Sequence, residues 1–180
     1  MNRQHHFELA VPINAVDHVT GSSHASIAVV EYGDFECPTC KQAAAAVKMM
    51  LNHFKNRIRF VYRHFPLEEV HPHALQAAEA AESAGAQGKF WEMHDLLFEN
   101  QLRLKPNHLR SYAERLDLDI ARFTADMDDE IYRQRVREHM AGGHESGVRA
   151  TPGFFIKGKI HDVSYGVHTL YDAVAATLKK

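Results

Sequence analysis

The regular pattern of the chain begins at Ile27 to Tyr32 (IAVVEY), a nearly continuous apolar run rich in β-branched residues, which predicts a strand buried on both faces. GDFEC follows as a turn. From Pro38 the apolar positions change to helical spacing, with Cys40, Ala43, Val47, Leu51 and Phe54 on one stripe, and Pro38 stands where a first helical turn accepts proline. Arg57 to Phe65 (RIRFVYRHF) alternates charged and apolar residues at its start and reads as a second strand, parallel to the first if the helix between them is a crossover. The three segments form a βαβ unit.

A block of helical patterns comes next. Pro72 opens a segment whose alanines at 74, 77, 78, 81 and 84 permit close packing, ending at Gly85 or Gly88. Phe90 to Asn100 carries Phe90, Trp91, His94, Leu97 and Phe98 at helical spacing, and Pro106-Asn107 supplies a break and an N-cap for Leu109, Tyr112, Ala113 and Leu116. Asp119 is placed to cap a short helix with Phe123 and Met127, and Ile131 to Met140 keeps a helical period until Gly142-Gly143. Strand character returns at Phe154 to Ile156, where Lys157-Gly158-Lys159 reads as a tight hairpin turn into Ile160. After Gly166, Leu170, Val174 and Leu178 fall on one face of a terminal helix. The order β-α-β, helices, β-β-α predicts an α/β fold with a mixed four-stranded sheet flanked by helices on both sides.

Composition narrows the class. The 180 residues are 45% hydrophobic and 24% charged, which suits one domain with a sizeable core, and 21 basic against 23 acidic residues give no polyanion-binding surface. Nucleic acid is not an expected partner. No apolar stretch approaches the roughly 20 residues of a membrane span, so no membrane partner is expected either. The N-terminus lacks the apolar core of a secretory signal, being broken by His5, His6, Glu8, Pro12 and Asp17. The resulting expectation is a cytoplasmic protein, with a periplasmic one as the alternative if a leader has been removed.

The two cysteines, Cys37-Pro38-Thr39-Cys40, concentrate the chemistry at the start of the first helix. A sulfur at a helix N-terminus meets unpaired N-H groups and the positive end of the helix dipole, which favour the thiolate. Cys37, at the cap, is expected to be the exposed, acidic thiol; Cys40, one turn later on the inward stripe, is expected to be shielded. That asymmetry suits dithiol exchange, in which one thiol attacks and the other resolves. Glu31, amid Val29, Val30 and Tyr32 on the buried strand, is costly unless neutral or hydrogen-bonded and is placed to relay a proton beneath the dithiol; the alternative is a side chain pointing to solvent from the strand end. Asp34 and Glu36 read as solvated loop charges, and Phe35, Trp91, Phe154 and Phe155 as core or rim aromatics. A zinc module would need ligands from the 14 histidines, of which His64, His71 and His73 are the nearest cluster, and His71 and His73 suit a surface or capping role better.

The segment VVEYGDFECPTC resembles the active-site segment of the DsbA-like thiol:disulfide oxidoreductases of the thioredoxin superfamily. RHFPLEEVHPHALQAAEAAESAGAQGKFWEMHDLLF is similar to their inserted helical domain, and GVRATPGFFIKGK to the segment that carries their cis-proline. The resemblance covers roughly Asp17 to the C-terminus. It implies a thioredoxin-like domain formed by residues 1–66, with an N-terminal extension, and 148–180, interrupted by a helical insertion at 67–147. It further implies Cys37 as nucleophile, Cys40 as resolving thiol, Glu31 as the buried acid and Thr151-Pro152 as the cis-proline loop facing the disulfide. Pro38-Thr39 departs from the Pro-His or Pro-Tyr common among relatives. The expected activity is thiol:disulfide exchange with protein or small thiol substrates and a recycling redox partner, with no metal and no cofactor beyond the cysteine pair. A cytoplasmic location favours a reducing role, and an oxidase working outside the cytoplasm is the close alternative. A non-catalytic thioredoxin-like binding module and a zinc-binding CxxC module are the readings from other classes.

Overall fold

The computed structural model describes residues 8–179, so the N-terminal positions through residue 7, His5 and His6 among them, lie outside the described residues. The strands are β1 (His18–Gly21), β2 (Ile27–Gly33), β3 (Ile58–His64), β4 (Gly153–Ile156) and β5 (Lys159–His161). The helices are α1 (Pro38–His53), α2 (Ala74–Gly85), α3 (Phe90–Glu99), α4 (Pro106–Arg115), α5 (Ile120–Asp128), α6 (Arg133–Glu145) and α7 (His168–Leu178). Among the described residues the sheet has five strands, in the order β1-β3-β2-β4-β5. β2 and β3 run parallel across the α1 crossover, while β1, β4 and β5 are antiparallel to their neighbours.

The expectation of four strands is therefore corrected to five. β1 has the sequence HVTG and alternates half-buried with exposed positions, so it carries no apolar run; its pairing with β3 supplies what its side chains do not. The strand β2, by contrast, is buried almost throughout because helices cover both of its faces. On one face Ile27, Val29, Phe60, Tyr62 and Phe154 share a core with Cys40, Ala43, Val47 and Met50 of α1, Met93 and Leu97 of α3, and Leu170 and Val174 of α7. On the other, Val30, Tyr32, Val61 and Phe155 pack with Phe65 and Val148, and Met140 of α6 lies against them.

The segment before β1 is strapped to this second face by Arg63, 2% exposed, whose guanidinium donates to both carboxylate oxygens of Asp17 at 2.8 Å. The same group also donates to the carbonyls of Val11 and Pro12 and to the Tyr32 hydroxyl. A buried arginine is tolerated because each of these contacts replaces water. Farther along, Glu8 bridges to Lys159 of β5, and the Leu9 N-H donates to the Gly158 carbonyl at 2.8 Å. The β4-β5 hairpin turns at Lys157 and Gly158, both with positive φ (51° and 80°), the conformation that a two-residue turn requires.

Two helix ends differ from the sequence expectation. The helix α4 begins at Pro106 itself with Lys105 as the cap, so Asn107 lies inside it. Asp119 does cap α5, accepting from the Arg122 N-H at 3.0 Å. The helix α6 does not stop at Gly142-Gly143 but runs through both to Glu145. Close approach is the reason: a Cβ on Gly143 would stand 2.7 Å from two Phe65 ring carbons and 3.0 Å from the Tyr32 ring. Both rings are fully buried, so neither has room to retreat. Gly143→Ala is expected to destabilise the protein by about 1–3 kcal/mol through overpacking, against a helix-propensity gain of about 1 kcal/mol. Urea unfolding measures the difference; a stabilised variant would show that α6 has slack over the sheet.

Candidate active site

Cys37 is the N-cap of α1, with extended backbone (φ −73°, ψ 120°), and Pro38 occupies the first helical position. Proline has no N-H to leave unpaired there and its ring fixes φ for the helix. The Cys37 Sγ lies 3.4 Å from the Thr151 carbonyl oxygen, and the Thr151–Pro152 peptide is cis at the entry to β4. Strand and helix thus bring together residues 114 positions apart. The Cys37 thiol is pulled down to about 5, first by a hydrogen bond from the Cys40 thiol, against the opposing effect of burial; the Thr151 side chain and the N-H groups of Cys40 and Thr39 add to the pull. Cys40 is fully buried and is held well above the ordinary thiol range, chiefly by desolvation. Cys37 is only 6% exposed, so the expectation of an exposed thiol is corrected: the Thr151 loop roofs it.

Glu31 sits in β2 opposite Tyr62 of β3 and Phe154 of β4, on the face that α1 covers. It is 1% exposed and its Oε1 has no hydrogen-bond partner among the described residues. Burial, with a further push from the negative charge of Cys37, raises its carboxyl to about 8. The side chain is therefore a neutral acid at neutral pH while Cys37 is a thiolate. Tyr62 fills the neighbouring space so closely that a Cβ on Gly33 would meet its hydroxyl at 2.7 Å, which explains a glycine at the end of a buried strand.

The loop between β2 and α1 is held by residues that the sequence reading assigned to solvent. Asp34 is 1% exposed. Its carboxylate accepts from the Glu36 N-H at 2.7 Å, the Leu67 N-H at 2.8 Å and His71 Nδ1 at 2.8 Å. Glu36 accepts from the His73 N-H at 2.6 Å and from His73 Nδ1 at 3.0 Å. The reading of Asp34 and Glu36 as solvated charges is corrected accordingly: donors from the β3–α2 connection compensate their desolvation. Gln101, which carried no sequence signal, donates from Nε2 to the Phe35 carbonyl at 2.9 Å and the Cys37 carbonyl at 2.8 Å. Phe35 itself is core, with its ring centroid 5.3 Å from Tyr62 and 4.9 Å from Phe98.

The three histidines considered as zinc ligands are each engaged with a carboxylate. His71 and His73 bind Asp34 and Glu36, and His64 Nε2 lies 2.8 Å from Glu82 Oε1. His64, Glu82 and His139 do bring ligand atoms within 4.8 Å of one another. The Glu82 carboxylate is already met by His18 at 3.0 Å and by the Arg135 guanidinium at 2.7 Å, so a divalent cation there would face a fixed positive charge. Although burial raises the Glu82 pKa, hydrogen bonds from His18 and His64 outweigh it and keep the group ionised.

Among proteins of known sequence, the chain is 51% identical over 170 residues to the Na(+)/H(+) antiporter NhaA 1 of Salinispora arenicola and 39% identical over 162 residues to the Na(+)/H(+) antiporter NhaA of Herminiimonas arsenicoxydans. These matches cover 94% and 90% of this chain but 26% of each relative, so the chain spans about a quarter of the length of the curated relatives it matches. The expected cytoplasmic location is corrected by this finding. An ion antiporter works in a membrane, and a missing leader says nothing about the location of a chain that aligns with one section of such proteins. No helix among the described residues is long and apolar enough to cross a membrane. Of solved structures, a thioredoxin-like oxidoreductase from Silicibacter pomeroyi DSS-3 superposes with a TM-score of 0.80 at 26% identity, covering 93% of this chain and 95% of that one. BdbD from Bacillus subtilis, in its oxidised form, superposes with a TM-score of 0.80 at 21% identity over 90% of this chain and 92% of its own. Residues 14–176 match the thioredoxin family, and with its CxxC pair and its DsbA-like thiol:disulfide oxidoreductase fold the chain belongs to that family.

Proposed function

We propose that the chain exchanges disulfides with polypeptide or small thiol substrates through Cys37 and Cys40, with Glu31 serving the resolving thiol and the Thr151-Pro152 loop forming the edge against which substrate docks. The observation that carries this reading is the separation of two neighbouring thiols, one lowered to about 5 and the other raised well above its ordinary value. A binding module has no use for that separation.

In the reducing direction the Cys37 thiolate attacks a substrate disulfide, forming a mixed disulfide and expelling one substrate thiolate. The negative charge beside Glu31 disappears at that moment, so the carboxyl releases its proton to solvent more readily, and the carboxylate that results takes the proton of Cys40. The Cys40 thiolate then attacks the Cys37 sulfur and expels the second substrate thiolate. Two electrons pass to substrate, the protein becomes the Cys37–Cys40 disulfide, and a recycling partner restores the dithiol. Run in reverse, the same steps donate the disulfide. The electrons travel on two sulfurs alone, so the balance closes without a metal or dissociable cofactor.

The depressed Cys37 pKa bears on direction. A group whose folded pKa lies below its unfolded value of about 9 contributes stability above that pH and loses it as pH falls through 5. This stabilisation belongs to the reduced state alone, which makes the disulfide a good oxidant. Denaturation of both redox forms across pH should therefore show the stability of the reduced form, relative to the oxidised, declining as pH drops from 7 through 5; a constant difference would remove the thiolate as its source.

Iodoacetamide at pH 5 to 6 should label Cys37 before Cys40, and Cys40→Ser should accumulate mixed disulfides with disulfide-bonded, scrambled polypeptides because the resolving step is lost. Preferential labelling of Cys40 would reverse the assigned roles. Glu31 gives a separate signature. In the oxidised protein, where the Cys37 charge is absent, burial still raises the Glu31 pKa on folding, so stability should fall as pH rises above the ordinary carboxyl value of about 4.5, and Glu31→Gln should flatten that slope. The same variant should slow turnover at the resolving step, and unaltered turnover across pH would exclude Glu31 from the relay.

A further inference from the structure

The connection from α3 to α4 places one polar side chain on the dithiol loop from outside the sheet. Its turn is self-sufficient: the Arg103 N-H donates to the Asn100 carbonyl at 2.7 Å, Asn100 Nδ2 donates to the Leu96 carbonyl at 2.8 Å, and the Tyr112 hydroxyl donates to the Arg103 carbonyl at 2.7 Å. None of these bonds uses the side chain of Gln101. Its single amide nitrogen instead spends both hydrogens on the carbonyls of Phe35 and Cys37, across 66 and 64 positions of sequence.

The second of those carbonyls belongs to the peptide that joins Cys37 to Pro38. Pro38 has no N-H, so hydrogen bonds can orient this peptide only through its oxygen. Two donors do so, the Lys41 N-H at 3.2 Å, which is the first bond of α1, and Gln101 at 2.8 Å. The tilt of this peptide sets the direction of the first helical turn, and with it where the N-H groups of Thr39 and Cys40 point. Those N-H groups are among the donors that hold the Cys37 sulfur as a thiolate. We propose that Gln101 is a positioning residue for the exchange reaction: by clamping the Phe35 and Cys37 carbonyls to the α3–α4 turn, it fixes the Cys37–Pro38 peptide and keeps the donors of the first helical turn aimed at the attacking sulfur.

The proposal rests on the exchange reading above, but its chemistry is separable from turnover. The charged and titratable groups around Cys37 are Glu31 from β2, Cys40 from α1, and the Asp34–His71 and Glu36–His73 pairs that bind the loop to the β3–α2 connection. Gln101→Leu changes none of them and adds no charge. The test is the rate of iodoacetamide alkylation of Cys37 in the reduced protein, followed from pH 4 to 9 by peptide mass spectrometry. In Gln101→Leu the midpoint should move upward, and the rate at pH 5 should fall by roughly two- to fivefold, the effect of half to one pKa unit on a thiol that titrates at about 5, while the rate at high pH matches wild type. Leu102→Ala serves as the control, since Leu102 is 98% exposed on the same turn, and its profile should overlay wild type. Gln101→Ala repeats the measurement should the leucine variant not fold. A Gln101→Leu profile superimposed on wild type overturns the proposal, as does an equal shift in Leu102→Ala, which would assign the effect to the turn rather than to the amide. Wild-type protein that fails to reduce insulin with dithiothreitol would sink the exchange reading, and the alkylation profiles would still decide the role of Gln101.

Discussion

The Asp34 carboxylate joins the two halves of the molecule at the point where the chemistry sits. It is buried beside the dithiol, and an isolated charge there would be untenable in a low-dielectric interior. Three donors make it tenable, one from its own loop and two from the connection that leads into α2. Since the Cys37 N-H in turn donates to the Asp34 carbonyl at 3.2 Å, the cap of α1 inherits its position from this one residue. Glu36 repeats the arrangement two positions later with His73. The loop between strand and helix is thus fixed by side-chain hydrogen bonds rather than by packing alone, and it cannot shift without leaving a buried carboxylate short of donors.

Within that frame, one dielectric environment acts on three acids in different ways. Burial raises Glu31 and Cys40, which have few compensating donors, whereas Cys37 sits where hydrogen bonds from Cys40, Thr151 and the helix start overcome the same penalty. Each group also changes the others, because ionisation of Cys37 makes that of Glu31 and Cys40 harder. The three titrate as a unit, so a pH profile measured on any one of them reports the state of its neighbours.

Much of this was legible in the sequence, for identifiable reasons. The β2-α1-β3 unit announced itself because a strand covered on both faces must be apolar throughout, and because a proline after Cys37 marks a helix start. β1 stayed hidden because an edge strand of four residues, half of them exposed, needs no hydrophobic pattern. Asp34 and Glu36 were misread because an acid beside a reactive thiol looks solvated until its donors, more than thirty positions away, are known. Gln101 left no trace at all, since a glutamine in a turn has no periodicity and its partners are backbone carbonyls, which no residue type encodes. Glycines at 142 and 143 looked like a helix stop because the groups they make room for, the Val11 side chain at 142 and the Phe65 and Tyr32 rings at 143, lie far away in sequence.

The short contact between residues 8–9 and the β4-β5 hairpin also has an outcome for solubility. β5 is a strand of three residues at the border of the sheet, and its outer backbone would otherwise offer free N-H and C=O groups to any extended chain. The bridge from Glu8 to Lys159 and the bond from Leu9 to Gly158 occupy part of that border. A protein whose proposed substrates include unfolded polypeptide meets strand-forming segments continually, and a blunted border denies them a template for β-addition. On the β5 side, an incoming segment is thus denied part of the backbone on which it could extend the sheet.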